Sequence, residues 1–436
     1  MSLVMSIRGR GPAASATRAG KVLRRFGATS ASMVRCLDRY DSITSEHGVR
    51  PTLPTTACVL ARHPDLLRRL AARDVELAVH GLVHGDHAAL DEHQQRSSIA
   101  RAMEIFADAG LRSGGFRGPY LRYNAATLRA LRELGFVYHS SQAVAFPLVE
   151  EPGSTGAAER LALALRLYSA LKSADVAVTP RLREGLVDIP VAVPDDEILL
   201  ERLRWEEAAR TSQWLHILDL TYRSGELFTL QLHPERIPEL GDALATTLAD
   251  ARRHHPAVWI ARLDAIAAWW LRRSRFALHV TRVSPGSFRV RLEAEPGATL
   301  LTRGLDVPRV AWSGRDAISR SHNFEVASPR VPVVGVSRRS SAELRAFVVE
   351  QGFPIEVSDD RDAYGAHIDE DGAGWSETGV LAAIERAPGP LVRIWRWPDG
   401  ARSALAVTGD IDALTLKDFV MRSWETRAST YRRYQE

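Results

Sequence analysis

Three histidines and an aspartate lie close together in the segment HGLVHGDH, residues 80–87. His80 and His84 are four residues apart, so in a helical turn both rings would lie on one face and could bind one metal ion. The preceding run DVELAVH, residues 74–80, is typical of a short strand, and it would place His80 at the strand end. The alternative is a pair of histidines in a surface loop, and this spacing alone does not exclude it.

Further reactive side chains follow other apolar runs. Arg117 begins the corner RGPY, which ends in Tyr120, and His233 follows the strand pattern LFTLQL of residues 227–232. Asp410 and Asp412 follow the apolar run ALAV of residues 404–407. Two carboxylates at the end of a buried strand are costly unless a cation compensates them, so we expect a metal ion or an arginine beside them. An ordinary turn with a surface arginine is the alternative interpretation of RGPY.

The elements that must position these groups alternate between residues 30 and 275. PDLLRRLAAR (64–73) begins with the proline of a helix start, and a longer helical pattern around residues 93–110 ends at Gly110. Strand patterns occur at GFRGPY, GFVYHSS, LVDIPVAV and LFTLQLHP. Strands interleaved with helices predict a mainly parallel sheet or barrel.

The pattern changes near residue 276. Residues 276–304 alternate apolar and polar positions around Pro-Gly turns, which predicts antiparallel hairpins, and residues 331–357 predict a β-α-β unit. We therefore divide the chain into residues 1–275, an auxiliary α+β unit at 276–400, and a strand with the two aspartates at 401–436. Trp395 and Trp397 could form a stacking platform for sugar rings, although core packing is the expectation for such residues.

Composition limits the classes of partner. The 436-residue chain is 45% hydrophobic with a formal net charge of +4, and positive charge without acids is concentrated only in residues 6–25. We therefore expect no nucleic-acid partner. Cys36 and Cys58 are too few for a disulfide framework, and neither a secretory signal nor an 18-residue apolar run is visible. These features predict a cytoplasmic protein without a membrane span, and they leave its oligomeric state open.

Several of these segments resemble the motifs of the polysaccharide deacetylase (NodB-homology) family of carbohydrate esterases. The matching stretches are HGLVH (80–84), RGPY (117–120), VDIP (187–190), LQLH (230–233) and TGDID (408–412). One departure is His139, which stands where the family commonly has an aspartate. The resemblance covers roughly residues 30–275 and 401–420, and it implies a deformed (β/α) barrel.

The aspartate motif is normally first in the family, but here it is last. The cyclic order of the motifs is preserved, so we predict a circular permutation in which the TGDID strand lies between the strands of TTACVL (55–60) and LFTLQLH (227–233). Residues 33–49 would supply the first helix. The competing account is that TGDID begins a second, truncated domain and leaves the amino-terminal site without acids.

The resemblance also implies the metal ligands, namely Asp412, His80 and His84. Two imidazoles and a carboxylate suit one divalent ion, with zinc the first choice and cobalt, nickel or manganese as alternatives. A position left open for water would let the ion lower the pKa of that water.

The remaining roles follow from the same resemblance. Asp410 would be the general base, Arg117 would pair with it, the backbone N–H of Tyr120 would help stabilise the oxyanion, and His233 would be the general acid. Three aspartates are candidates for orienting His233: Asp188, Asp195 and Asp196.

The predicted reaction is hydrolysis of an N-acetyl group on an amino sugar or polysaccharide. A metal-dependent amidase acting on a small acylated amine or a cyclic amide would use the same groups. A non-catalytic metal-binding or carbohydrate-binding protein is the third hypothesis, favoured if the two aspartates lie outside the site.

Overall fold

The computed structural model describes residues 25–371 and 374–426, so the basic segment noted at residues 6–25 lies almost entirely outside the described residues. Strands and helices alternate from the start. Their bounds are α1 (Ala31–Glu46), β1 (Thr52–Thr55), α2 (Ala57–Arg62), α3 (Pro64–Ala71), β2 (Glu76–Val79), α4 (Glu92–Asp108), β3 (Gly115–Phe116), α5 (Ala125–Glu133) and β4 (Tyr138–His139). Asp91 and Asn124 form capping boxes that begin α4 and α5.

The alternation continues to residue 273. The bounds are β5 (Ala143–Ala145), α6 (Thr155–Leu167), β6 (Leu171–Lys172), β7 (Arg181–Arg183), β8 (Leu186–Asp188), β9 (Val191–Val193), α7 (Glu207–Ser224), β10 (Leu227–Leu232), α8 (Ile237–Arg253), β11 (Val258–Ile260) and α9 (Leu263–Arg273). Among the described residues, no helix combines the length and apolar character needed to cross a membrane.

Residues 277–394 are rich in strands. The bounds are β12 (Ala277–Ser284), β13 (Ser287–Glu293), β14 (Leu300–Arg303), β15 (Arg309–Ser313), β16 (Asp316–Ser319), β17 (Asn323–Ala327), β18 (Val331–Val336), α10 (Ala342–Glu350), β19 (Ile355–Val357), β20 (Tyr364–Ile368), α11 (Glu377–Arg386) and β21 (Leu391–Ile394). Strands β12, β13 and β17 pair antiparallel, whereas β18 pairs parallel with β19 and β20. We propose that these elements form the auxiliary domain predicted at residues 276–400.

The last described elements return to the first sheet. They are β22 (Ser403–Gly409) and α12 (Leu416–Glu425). Within the described residues the largest sheet has nine strands in the order β10-β22-β1-β2-β3-β4-β8-β7, with β11 also pairing to β22. All of these pairs are parallel except β7 with β8. The predicted fold class, a deformed (β/α) barrel, is confirmed.

β22 is an interior strand of this sheet. Six of its residues pair with β10, from Leu227 opposite Ala404 to Leu232 opposite Gly409, and Thr408 pairs with Thr52 of β1. All seven of its residues are buried, as expected for a parallel strand covered on both faces. The account in which TGDID begins a separate domain is therefore wrong.

Two details of the sequence interpretation need correction. The segment TTACVL contributes only Thr55 to a strand, because residues 57–62 form helix α2. Trp395 and Trp397 are 2% and 0% exposed and pack with Trp269 and Trp270 of α9. They belong to the core, so the stacking-platform interpretation is wrong.

Candidate active site

The carboxyl ends of neighbouring strands bring the predicted side chains to one edge of the sheet. His80 follows β2, Arg117 follows β3, His233 follows β10, and Asp410 follows β22. In a parallel sheet such ends meet at the same edge, where α/β proteins bind their ligands. As a result, His84 and Asp412 contact each other although more than 300 residues separate them in the sequence.

Three side chains form a compact donor set. His80 Nε2 lies 3.3 Å from Asp412 Oδ1, and His84 Nε2 lies 3.1 Å from Asp412 Oδ2. One ligand atom from each residue falls within 4.8 Å of the others, and all three residues are buried. This geometry suits a single metal ion with two nitrogen ligands and one oxygen ligand.

The two histidines reach this position from a loop and not from the expected helical turn. Residues 80–86 contain no helix. Gly81 adopts φ +77°, and a Cβ there would lie 2.8 Å from His87 Nε2, so a glycine is required. The rings of His80 and His84 still converge, with centroids 5.1 Å apart, and the His84 ring packs edge-on against Tyr120 at 4.4 Å.

Burial and nearby charges favour the protonation states in which His84 and Asp412 can bind a metal ion. The backbone oxygen of Arg117 lies 2.8 Å from His80 Nδ1 and can only accept, so Nδ1 donates to it and Nε2 is the ring nitrogen that faces Asp412. Burial and the positive charge of Arg422 lower the pKa of His84 well below its usual value. Burial raises the pKa of Asp412, but the positive charge of Arg422 opposes burial, and the pKa lies well below the usual range.

The donor set therefore fits a cation. The Nε2 atoms of both histidines face the Asp412 carboxylate, so one bound cation could take an electron pair from each of the three groups. Asp412 Oδ1 is buried with no hydrogen-bond partner among the described residues. A first-row divalent ion would satisfy these acceptors together.

Asp410 lies beside this set and is held by other partners. Arg117 Nη1 lies 3.3 Å from Asp410 Oδ1, and Gln231 Nε2 donates to Asp410 Oδ2 at 3.1 Å. Arg117 is fully buried and also donates to Ser140 Oγ at 3.1 Å. The Asp410 carboxylate is thus fixed in orientation without being one of the three clustered ligands.

The partner of His233 is Asp196. The Asp196 carboxylate lies 2.9 Å from His233 Nδ1 and accepts a hydrogen bond from the His233 backbone N–H, also at 2.9 Å. Burial alone would lower the pKa of His233, but Asp196 outweighs it and raises the pKa to about 10. The other two candidates have different partners, because Asp188 lies 3.3 Å from His139 and Asp195 accepts from Tyr168.

This contact leads to a prediction for pH dependence. If protonated His233 is required, activity falls as the pH rises through its pKa. Asp196→Asn removes the carboxylate that raises this pKa, so the alkaline limb of the pH–rate profile should move to lower pH by about one to three units. Asp360→Asn, at an exposed position, is the matched control. An alkaline limb that stays in place in Asp196→Asn would contradict the role of Asp196.

Two site residues were not predicted from the sequence. Gln231 lies in β10 two residues before His233, which directly follows the strand, and positions two apart in extended chain share one face, so this signal was available. Arg422 lies on α12, and its Nη1 donates to Asp412 Oδ2 at 2.7 Å. No motif marks Arg422, since its contact depends on how α12 packs after the loop that carries Asp412.

The fold and the donor set define an α/β protein with a candidate metal site at the carboxyl edge of a curled parallel sheet. Residues 34–139 match the family model described as polysaccharide deacetylase, so the resemblance to that family is confirmed for this segment. The matched segment contains His80, His84, Arg117 and Tyr120. His233 and the two aspartates lie outside it.

Solved structures give further matches. A protein from Mycobacterium smegmatis assigned to the polysaccharide deacetylases is 22% identical, with a TM-score of 0.43, over 57% of this chain and 81% of that chain. A protein from Pseudomonas aeruginosa PAO1 assigned to the same family is 20% identical, with a TM-score of 0.43, over 54% of this chain and 73% of that chain. Puue allantoinase matches with 20% identity and a TM-score of 0.43 over 54% and 72% of the two chains. No curated protein sequence matches the chain.

Proposed function

We propose that the protein is a metal-dependent deacetylase that hydrolyses the N-acetyl group of an amino sugar or polysaccharide. One observation carries this proposal: the donor atoms of His80, His84 and Asp412 cluster beside two further pairs, Asp410 with Arg117 and His233 with Asp196. A ligand set flanked by a candidate base and a candidate acid is what amide hydrolysis requires.

The three clustered residues would hold one divalent ion, with zinc the best match to two nitrogen donors and one oxygen donor. When bound, the ion supplies Lewis acidity and lowers the pKa of a water molecule. The protonation states described above favour this binding, since a neutral His84 and an ionised Asp412 need not lose protons first.

Asp410 and His233 then move the protons of the reaction. The Asp410 carboxylate accepts a proton from the attacking water, whose oxygen forms the new bond to the acetyl carbon. Arg117 Nη1, 3.3 Å from Asp410 Oδ1, holds the carboxylate in orientation for this step. His233 gives its Nε2 proton to the amine nitrogen as the C–N bond breaks, because its Nδ1 faces Asp196. The products are acetate and a free amine.

Tyr120 contributes through its backbone. Its φ of 60° is left-handed, and the corner before it is held by the Gly118 N–H, which donates to Ser141 Oγ at 2.9 Å. A strained, pre-set backbone is common at active sites. We propose that the Tyr120 backbone N–H donates a hydrogen bond to the acetyl oxygen as negative charge develops on it.

We further propose that the chain is a circular permutant of the deacetylase barrel. β22 occupies the position between β10 and β1 that the family's first strand would take, and α1 is the helix that would follow that strand. The permutation explains why the aspartate motif can come last in the sequence and still face the two histidines.

The proposed function is tested by acetate release. Protein freed of metal by a chelator, and the same protein after addition of Zn²⁺, would be given N-acetylated chito-oligosaccharides and, separately, a small acylated amine. We expect acetate from the oligosaccharides only when Zn²⁺ is present. Acetate from the small amine alone would favour the amidase hypothesis. Full activity in the chelated protein would overturn metal dependence.

A further inference from the structure

Helix α12 places a positive charge on one of the candidate metal ligands. Arg422 Nη1 lies 2.7 Å from Asp412 Oδ2, the same oxygen that lies 3.1 Å from His84 Nε2. The phenol of Tyr120 is a further partner of this guanidinium. None of the deacetylase motifs in this sequence includes Arg422, and the reaction proposed above does not use it.

The position of α12 is fixed independently of this contact. Arg62 of α2 contacts two buried acids of α12, Asp418 at 2.9 Å and Glu425 at 2.5 Å. His63 lies 2.9 Å from Asp418 as well. Because both acids are only 1% exposed, these ion pairs hold α12 firmly against α2, and Arg422 is delivered to Asp412 by a rigid element.

A guanidinium and a divalent ion on one carboxylate oppose each other. Both are positive, and at such short separation in a buried site their repulsion is only weakly screened by solvent. The Arg422 side chain is 24% exposed, so it has a route toward solvent, whereas the Asp412 side chain is 6% exposed and has none. An ion that binds Asp412 through Oδ2, the oxygen 3.1 Å from His84 Nε2, would therefore displace the guanidinium from that oxygen.

We propose that Arg422 is a built-in competitor of the metal ion for Asp412, so that α12 sets how tightly the site holds its ion. This inference rests on the proposed metal site and names a residue that regulates it. When no ion is bound Arg422 compensates the Asp412 charge, and when an ion binds, the Arg422 side chain turns toward solvent.

The test is the metal affinity of charge-neutral variants. Arg422→Gln keeps a hydrogen-bond donor without the charge, and Arg422→Met removes both while keeping the length of the side chain. Affinity would be measured calorimetrically with Co²⁺ and by competition against a chelating dye with Zn²⁺. Both variants should bind about tenfold more tightly than wild type, and the rise in melting temperature on adding Zn²⁺ should be larger.

Arg129→Met is the matched control, since it removes the same charge from a surface pair with Glu92. Its affinity should equal that of wild type. Unchanged or weaker binding in both Arg422 variants, with binding by wild type, would overturn the inference and leave the proposed function standing. Absence of binding in wild type and in both variants would overturn the two together.

Discussion

Asp410→Asn is expected to lower the rate of acetate release by about a hundredfold to ten-thousandfold, the range over which general bases contribute. The amide cannot accept a proton from water at neutral pH, whereas its shape and its contact with Gln231 can be kept. Asp410 is not one of the three clustered ligands, so metal affinity should stay near that of wild type. Rate constants and metal titrations on the same preparations would measure both effects.

The control for this variant is Asp65→Asn, whose side chain is 83% exposed on α3. It should have wild-type activity and affinity. Loss of the metal in Asp410→Asn with little loss of rate in the residual loaded protein would mean that the roles of Asp410 and Asp412 are reversed. Thermal unfolding should accompany the assay, because Arg117 would lose the charge that compensates it.

Removal of residues 401–436 is expected to abolish cooperative folding of the amino-terminal barrel. The deletion takes away β22, exposes the edges of β10 and β1, and removes Leu405 and Val407 from the main core. Circular dichroism and thermal unfolding of the truncated chain would report this. A truncated protein with a wild-type melting temperature would contradict the central position of β22.

A pair of point variants makes the same test without deletion. Val407→Asp places a charge at a fully buried position of β22 and should cost about 4 kcal/mol or more of unfolding free energy. Val420→Asp makes the same change on α12, where the side chain is 61% exposed, and should change stability by no more than about 0.5 kcal/mol. Similar costs for the two variants would contradict the burial of β22.

The sequence was informative where local chemistry and strand ends coincide. An apolar run followed at once by a polar residue identified the ends of β2 and β10, and so the positions of His80 and His233, and the apolar run 404–407 placed Asp410 near the end of β22. Parallel strands then required these ends to share an edge. The position of β22 between β10 and β1 followed from the cyclic order of the motifs, and the structure places it there.

The sequence could not specify contacts that depend on packing between distant elements. The i, i+4 spacing of His80 and His84 predicted a helical turn, but the left-handed Gly81 makes a loop that brings the rings together differently. Spacing also could not select Asp196 among three aspartates, because the choice depends on how the chain after β9 reaches β10. Arg422 is a contact of the same kind, made by a helix that carries no motif.

Titration of metal-free protein with Zn²⁺ tests most directly whether His80, His84 and Asp412 form one metal site. We expect about one equivalent bound by wild type. We also expect loss of that binding in both His84→Ala and Asp412→Asn, and retention of it in His93→Ala, at an exposed position of α4. Wild-type binding by Asp412→Asn would show that Asp412 is not a ligand, and it would contradict a metal site shared by the two histidines and the segment after β22.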